Sequence, residues 1–328
     1  MFPSFKFISL IIALGVSSHS FSAEPNKGDG MVQIPAKIQK LLESNPDIKS
    51  LLGGSNESDS HNIIKKMPDA LHALPSDPRV SFSLYTPDGF WNNPKDYKLL
   101  AVIHDSNRNV FEYRDSFKEF ADKNKFVVLA PLFPVGINGD SFADGYKNIV
   151  EGKDRYDLKL LSMVSSLEES CNCSFEKFYL YGFSGGGQFA HRFYYLHPEK
   201  LAAISIGAPG LATKIDAQRP WFFGTGDFQK KFNQSINIEQ MRKVPVQILV
   251  GDKDTEEFNI PDKYKDLANQ LLGKYGKTRV ENMKILSENY QQHGINNELK
   301  IVHGYAHEGV KLAPYAAEFF LNTIKPLK

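Results

Sequence analysis

The run Gly182-Phe183-Ser184-Gly185-Gly186 follows directly on the apolar segment Phe178-Tyr179-Leu180-Tyr181, which sets a G-x-S-x-G motif at the end of a strand. A serine on a sharp strand-to-helix turn is pushed out above its sheet with the hydroxyl exposed. Backbone packs closely at such a turn, and glycine two residues to either side leaves the room this needs. The stretch from Gly185 to Phe193 then reads as a helix that opens with small residues. Its N-terminus adds backbone N–H donors and a favourable dipole behind the hydroxyl. A serine hydroxyl is a weak nucleophile at neutral pH. It needs a general base within hydrogen-bond reach, and that base needs a carboxylate to orient it.

Serines on such turns find those partners in the chain order serine, acid, histidine. The apolar run Val246–Val250 leads into Gly251-Asp252-Lys253-Asp254-Thr255. A carboxylate just past a strand's C-terminal end can reach a neighbouring loop, and Asp254 is preferred to Asp252 as the acid. The structural alternative for either is a solvated loop aspartate or a helix N-cap. Three histidines follow: His293, His303 and His307. His303 ends the strand Leu299–Val302 and reads as structural. His307, in the loop Gly304-Tyr305-Ala306-His307-Glu308-Gly309, falls on the edge expected for Ser184 and Asp254 and is the candidate base. His104 and His191 precede the acid and read as structural.

Developing negative charge on an attacked carbonyl calls for two backbone N–H donors. One falls to Gly185, the residue after the serine. The other falls to Ser106, in the loop His104-Asp105-Ser106-Asn107-Arg108-Asn109 that follows the run Leu99–Ile103. An Asx turn closing the connection is the plainer reading of that loop. Arg108 beside it is read either as a partner for a substrate carboxylate or, more simply, as solvent-facing. Among the aromatic residues, Trp221 and Phe222 are the candidates for lining a substrate pocket, with Phe111, Phe133, Phe223 and Phe228 as further possibilities against the ordinary use of aromatics in a core.

Seven short apolar runs must carry these residues: Val80–Tyr85, Leu99–His104, Phe126–Ala130, Phe175–Tyr181, Ala202–Ile206, Val246–Val250 and Leu299–Val302. Apolar runs without alternation are the mark of strands covered on both faces. Between them, Phe117, Phe120 and Ala121 share one helical face; Leu160, Leu161, Val164 and Leu167 share another; Val310, Ala313, Ala317, Phe320 and Ile324 share a third. Alternating strands and helices predict a mostly parallel sheet with helices on both sides. Two long connections, 207–243 and 255–296, are lid-like insertions; the second is expected to hold helices near Tyr264–Leu272 and Asn282–Gln292.

The chain has 328 residues and a formal net charge of +1, with 41% apolar and 23% charged residues. Near-neutral charge gives no electrostatic reason for a nucleic-acid partner. Lys6, the ten-residue apolar run Phe7–Val16 and the small residues before Ala23 have the layout of a secretory signal over residues 1–23. That run is too short for the roughly 20 residues of a spanning helix, and no membrane span is expected elsewhere. Residues 24–78 read as an N-terminal extension, with an amphipathic piece over Ile34–Leu52 and a flexible link over Gly53–Ser60. Residues 79–328 form the main domain. Cys171 and Cys173 are the only cysteines, too few for a zinc site; a local disulfide and a pair of free thiols both fit. No metal or organic cofactor is called for.

Gly182-Phe183-Ser184-Gly185-Gly186, Gly251-x-x-Asp254 and Gly304-x-x-His307, each after its strand, resemble the α/β-hydrolase superfamily. Within it the chain is most similar to exported esterases of the polyhydroxybutyrate-depolymerase and feruloyl-esterase-like kind, over about residues 79–325. One departure is His104-Asp105, where many relatives have His-Gly. The resemblance implies an α/β-hydrolase fold. It also implies an exported serine hydrolase that cleaves small-molecule or polymeric carboxylic esters through Ser184, His307 and Asp254 and an acyl-enzyme. A peptidase or amidase on the same residues, or a silent binding module, are the competing readings.

Overall fold

The computed structural model describes residues 63–257, 266 and 276–324. All of them fall in one of the two compact units into which the chain divides, Asn56–Lys328. The expected signal segment, the Ile34–Leu52 helix, the Gly53–Ser60 link and the Tyr264–Leu272 helix lie outside the described residues.

Among the described residues, eight strands form one sheet in the order β1-β2-β4-β3-β7-β8-β9-β10. They are β1 (His72–Leu74), β2 (Asp77–Tyr85), β3 (Lys98–Ile103), β4 (Phe126–Leu132), β7 (Phe178–Phe183), β8 (Leu201–Gly207), β9 (Val246–Gly251) and β10 (Asn297–Val302). From β4 to β10 every pairing is parallel; β1 and β2 are antiparallel additions at one edge. A separate two-stranded ribbon joins β5 (Val150–Glu151) to β6 (Asp154–Arg155).

β7 and β9 are buried along their whole length, and β4 in all but its last residue, because both faces are covered. Side chains alternate across a strand, and β7 shows where each set goes. Phe178 packs on Phe193 of helix α5 (Gly185–Leu196). Tyr179 packs on Phe320 of α9 (Gly309–Ile324), and Tyr181 on Phe117, at the start of α2 (Lys118–Asn124). Further helices are α1 (Val110–Asp115), α3 (Gly145–Asn148), α4 (Tyr156–Cys171), α6 (Phe228–Phe232), α7 (Ile238–Met241) and α8 (Arg279–Gln292).

The architecture is the α/β-hydrolase fold expected from the sequence, with differences at its margins. The sheet reaches back to His72, because β1 and the start of β2 are held by pairing rather than by apolar pattern. β7 begins at Phe178, not Phe175, since the Phe175 N–H is taken by the Glu168 carboxylate at 2.5 Å. Helix α8 starts three residues before Asn282, where the Thr278 hydroxyl caps it by accepting from the Glu281 N–H. Cys171 and Cys173 form a disulfide, which removes the free-thiol reading.

Charge ties the antiparallel edge to α4. Arg79 donates from Nε to Asp77 at 2.8 Å and from Nη2 to Asp154 at 2.6 Å, and Lys159 on α4 reaches both carboxylates. The Arg79 hydrogen bond, opposed by partial burial and aided by Lys159, holds the Asp77 carboxyl far below the usual carboxylate range. A depressed folded-state value means stabilisation that is complete above the ordinary 3.8 and is lost as pH falls below it. The thermal midpoint is therefore expected to drop as pH is lowered from about 5 to 2. Asp77→Asn, less stable at neutral pH, should lose less over that interval. A scanning-calorimetry series on both proteins checks this.

Candidate active site

In a parallel array the C-terminal ends of the strands share one edge. β3 ends at Ile103, β7 at Phe183, β9 at Gly251 and β10 at Val302, so the loops holding Ser106, Ser184, Asp254 and His307 all rise from the same side. β8 alone separates β7 from β9.

Ser184 sits at φ 55° and ψ −113°, a backbone conformation that non-glycine residues avoid. Close packing on every side holds it there. A Cβ on Gly182 would run into the Gly186 carbonyl, one on Gly186 into the Ile103 carbonyl, and one on Gly187 into the Gly207 carbonyl. The Ser184 N–H donates to the Gly207 carbonyl at 2.8 Å, which fixes the turn to β8. Gly185 is the first residue of α5, where a backbone N–H has no carbonyl four residues earlier in its own helix.

His307 joins the other two residues. Its Nε2 lies 2.9 Å from Ser184 Oγ and its Nδ1 lies 2.6 Å from Asp254 Oδ2. The Asp254 side chain is wholly buried, while that of His307 is one-third exposed. With a carboxylate on Nδ1, that nitrogen donates and leaves Nε2 as the acceptor facing the hydroxyl. The imidazole packs on the Phe183 ring, 4.7 Å between centroids. Its loop is pinned to the acid's loop, for Lys253 N–H donates to the Tyr305 carbonyl at 2.9 Å. The second oxygen of Asp254, Oδ1, accepts from Arg279 Nη1 at 3.3 Å.

The alternatives considered for acid and base pair with each other. His303 Nδ1 lies 2.7 Å from Asp252; the His303 ring is almost fully exposed and the Asp252 carboxylate about one-third exposed. His104 and His191 are buried structural groups. His104 Nε2 accepts from the Phe133 N–H at 3.1 Å, so its Nδ1 carries the proton given to the Asp105 carbonyl; burial pushes its pKa down to about 4. His191 accepts from Thr213 N–H and gives its other proton to the Gly187 carbonyl, and burial lowers it well below the usual value.

The Ser106 hydroxyl lies 3.1 Å from where a Gly185 Cβ would stand, so the two expected oxyanion residues are neighbours. The Asx turn is present as well, since Asp105 Oδ1 accepts from the Asn107 N–H at 2.8 Å. Arg108 corrects both readings offered for it. Its guanidinium donates to the backbone carbonyls of Ser106, Ala143 and Phe133 at 2.5, 2.5 and 3.2 Å and stacks over the Tyr146 ring. It is therefore committed inward, holding loops together. Trp221 turns into the core of its own insertion. It packs on Phe228 and Phe232, and its indole donates to the Asn148 carbonyl at 3.1 Å. Phe222 is half-buried, stacked on Phe223 and set against the Arg192 guanidinium.

Three residues near the site carried no sequence signal. The Tyr146 hydroxyl and the end of the Lys147 side chain crowd against Gly185 from α3, and Arg279 reaches Asp254 from within the second insertion. None belongs to a motif. A surface cavity of about 260 Å³, lined by Tyr85, Pro87, Asp88, Tyr97 and Asp122, lies at the opposite edge, where β3 and β4 begin. It has no part in this arrangement.

Comparison with models of known protein families finds no match, and comparison with curated protein sequences finds none either. Solved structures do share the fold. A poly(3-hydroxybutyrate) depolymerase from Bordetella parapertussis superposes with a TM-score of 0.63 at 21% identity, over 82% of this chain and 96% of its own. Poly(aspartic acid) hydrolase-1 from Sphingomonas sp. KT-1 gives 0.59 at 18% identity, over 73% and 92%. A ferulic acid esterase gives 0.53 at 12%, over 78% and 96%. The chain thus has the α/β-hydrolase fold, in company with depolymerases and esterases.

The strand-to-helix turn admits no added methyl group. Gly182→Ala is expected to cost about 1–3 kcal/mol, because the obstacle is backbone and cannot rotate away. Urea unfolding of the purified variant measures it.

Proposed function

We propose that this protein is an exported serine hydrolase that cleaves carboxylic esters. The observation that carries the reading is the unbroken hydrogen-bonded series Asp254–His307–Ser184, with links of 2.6 and 2.9 Å.

The steps follow from those positions. His307 Nε2 takes the Ser184 proton as Oγ attacks the ester carbonyl. Asp254 holds the imidazole's orientation and offsets its positive charge. The backbone N–H groups of Gly185 and Ser106 receive the oxyanion. His307 then gives the proton to the departing alcohol, leaving an acyl-Ser184 ester. Water, activated by the same nitrogen, attacks the acyl group and releases the acid. Phe222 is the aromatic residue proposed to meet the substrate. For Trp221, the packing described above favours a supporting role.

Export rests on the signal-like residues 1–23, and a Cys171–Cys173 disulfide suits a compartment that is not reducing. In this reading the extension starts at residue 24 and ends before His72, short of the expected residue 78, because β1 and the start of β2 belong to the sheet. Among the described residues no helix is long and apolar enough to cross a membrane. A second reading, amide hydrolysis on the same residues, draws on one neighbour being named for poly(aspartic acid), a polymer joined by amide bonds.

A fluorophosphonate probe is expected to label the wild-type protein at Ser184, and Ser184→Ala should not label. On p-nitrophenyl butyrate, Ser184→Ala should lose activity by a factor of about 10⁴ or more, and Asp254→Asn by about 10²–10⁴. A wild-type protein that neither labels nor turns over any member of an ester panel would rule the proposal out. Faster cleavage of peptides than of esters would favour the second reading.

A further inference from the structure

Asp254 has two oxygens, and only one of them faces His307. The other accepts from Arg279, the first residue of α8. We propose that Arg279 is a positioning residue for the hydrolytic site: its guanidinium holds the Asp254 carboxylate in the one orientation that presents Oδ2 to His307. This inference rests on the hydrolase reading above and adds a residue to it.

The argument begins with burial. The Asp254 side chain has no exposure to water, and a buried carboxylate needs both oxygens satisfied and a counter-charge nearby. His307 supplies one hydrogen bond but no permanent charge. Arg279, four-fifths buried, supplies the second bond and the charge, at 3.3 Å. Without it, Asp254 could turn about its terminal torsion, which is broad for a carboxylate, and the imidazole would lose a fixed partner.

A nearby cation also repels the imidazolium that forms during the reaction, so the balance has to be weighed. The guanidinium meets one oxygen of the carboxylate and the imidazole meets the other, so the negative charge is nearer to each cation than they are to one another. Coulomb energies fall with distance, so the attraction that holds Asp254 exceeds the repulsion felt by His307.

The fold gives a reason for the contact. Asp254 and Arg279 flank residues 255–278, the first part of the second insertion, and inside them Glu257 and Thr278 form an antiparallel bridge. The Thr278 hydroxyl caps α8 and sets where Arg279 begins. That stretch is thus closed at its base by a backbone bridge and an ion pair, and the ion pair ends on the acid that serves His307.

The test uses the full chain, with Arg279→Met and Arg279→Lys beside wild type. Three readouts are taken: kcat and KM on p-nitrophenyl butyrate, the rate of fluorophosphonate labelling, and the low-field proton resonance of the Asp254–His307 hydrogen bond. Arg279→Met should lower kcat and the labelling rate about tenfold, leave KM within about twofold, and shift or broaden that resonance. Arg279→Lys, which keeps the charge without the fork, should recover about half of the loss on a logarithmic scale. If Arg279→Met does not fold, Arg279→Lys alone should still show a two- to fivefold fall in kcat with the resonance moved. Wild-type kcat and resonance in a folded variant would overturn the inference, as would a loss confined to KM or to thermal midpoint. A wild-type protein that fails to label would overturn the hydrolase reading and this inference together. Wild-type labelling with an equally fast Arg279→Met would remove this inference alone.

Discussion

The constraint on which this structure depends is contact between backbones where β7 turns into α5. Three glycines, Gly182, Gly186 and Gly187, let the strand, the helix and the ends of β3 and β8 meet without intervening side chains. That contact holds Ser184 at a positive φ and aims its hydroxyl above the sheet. A strained residue persists only where its surroundings over-determine it, and here they do so from both neighbouring strands. The aromatic packing of Phe178 on Phe193 and of Tyr179 on Phe320 fixes the two layers between which the strand must lie.

From that turn outward the site is a problem in register. Parallel pairing brings the ends of β7, β8, β9 and β10 to one edge, and each loop then needs only a few residues to reach its neighbour. Asp254 lies three residues beyond β9, and His307 five beyond β10. The shorter offsets, Asp252 and His303, also meet, but with the histidine out in water and the carboxylate partly exposed. Two similar His–Asp pairs thus stand side by side. Burial and the position of Ser184 separate them.

Much of this was readable before any coordinates. Each of the seven apolar runs overlaps one of the eight strands of the sheet, because a strand covered on both faces has little choice of residue. Ser184, Asp254 and His307 stood out because each closely follows such a run. What escaped reading depends on contacts between distant segments. β1 is three residues of no clear pattern, held by pairing with β2. The carbonyls that Arg108 gathers come from three separate stretches, which no local window contains. Trp221 looked like pocket lining because a cluster of aromatics has no direction in one dimension. In three dimensions its indole is spent on the Asn148 carbonyl. Arg279 reaches Asp254 across twenty-five positions, with no motif to mark the pairing.

Arg108 carries one more consequence. A single side chain staples the ends of three segments around Ser106, Phe133 and Ala143, and its guanidinium lies over an aromatic ring. That wall has little freedom to be reshaped piecemeal, since shifting any one segment strands a charge among carbonyls it no longer reaches. Novelty in what the molecule accepts would have to arise on the other wall, in the insertions after β8 and β9, where length and composition can drift without unpicking the clasp.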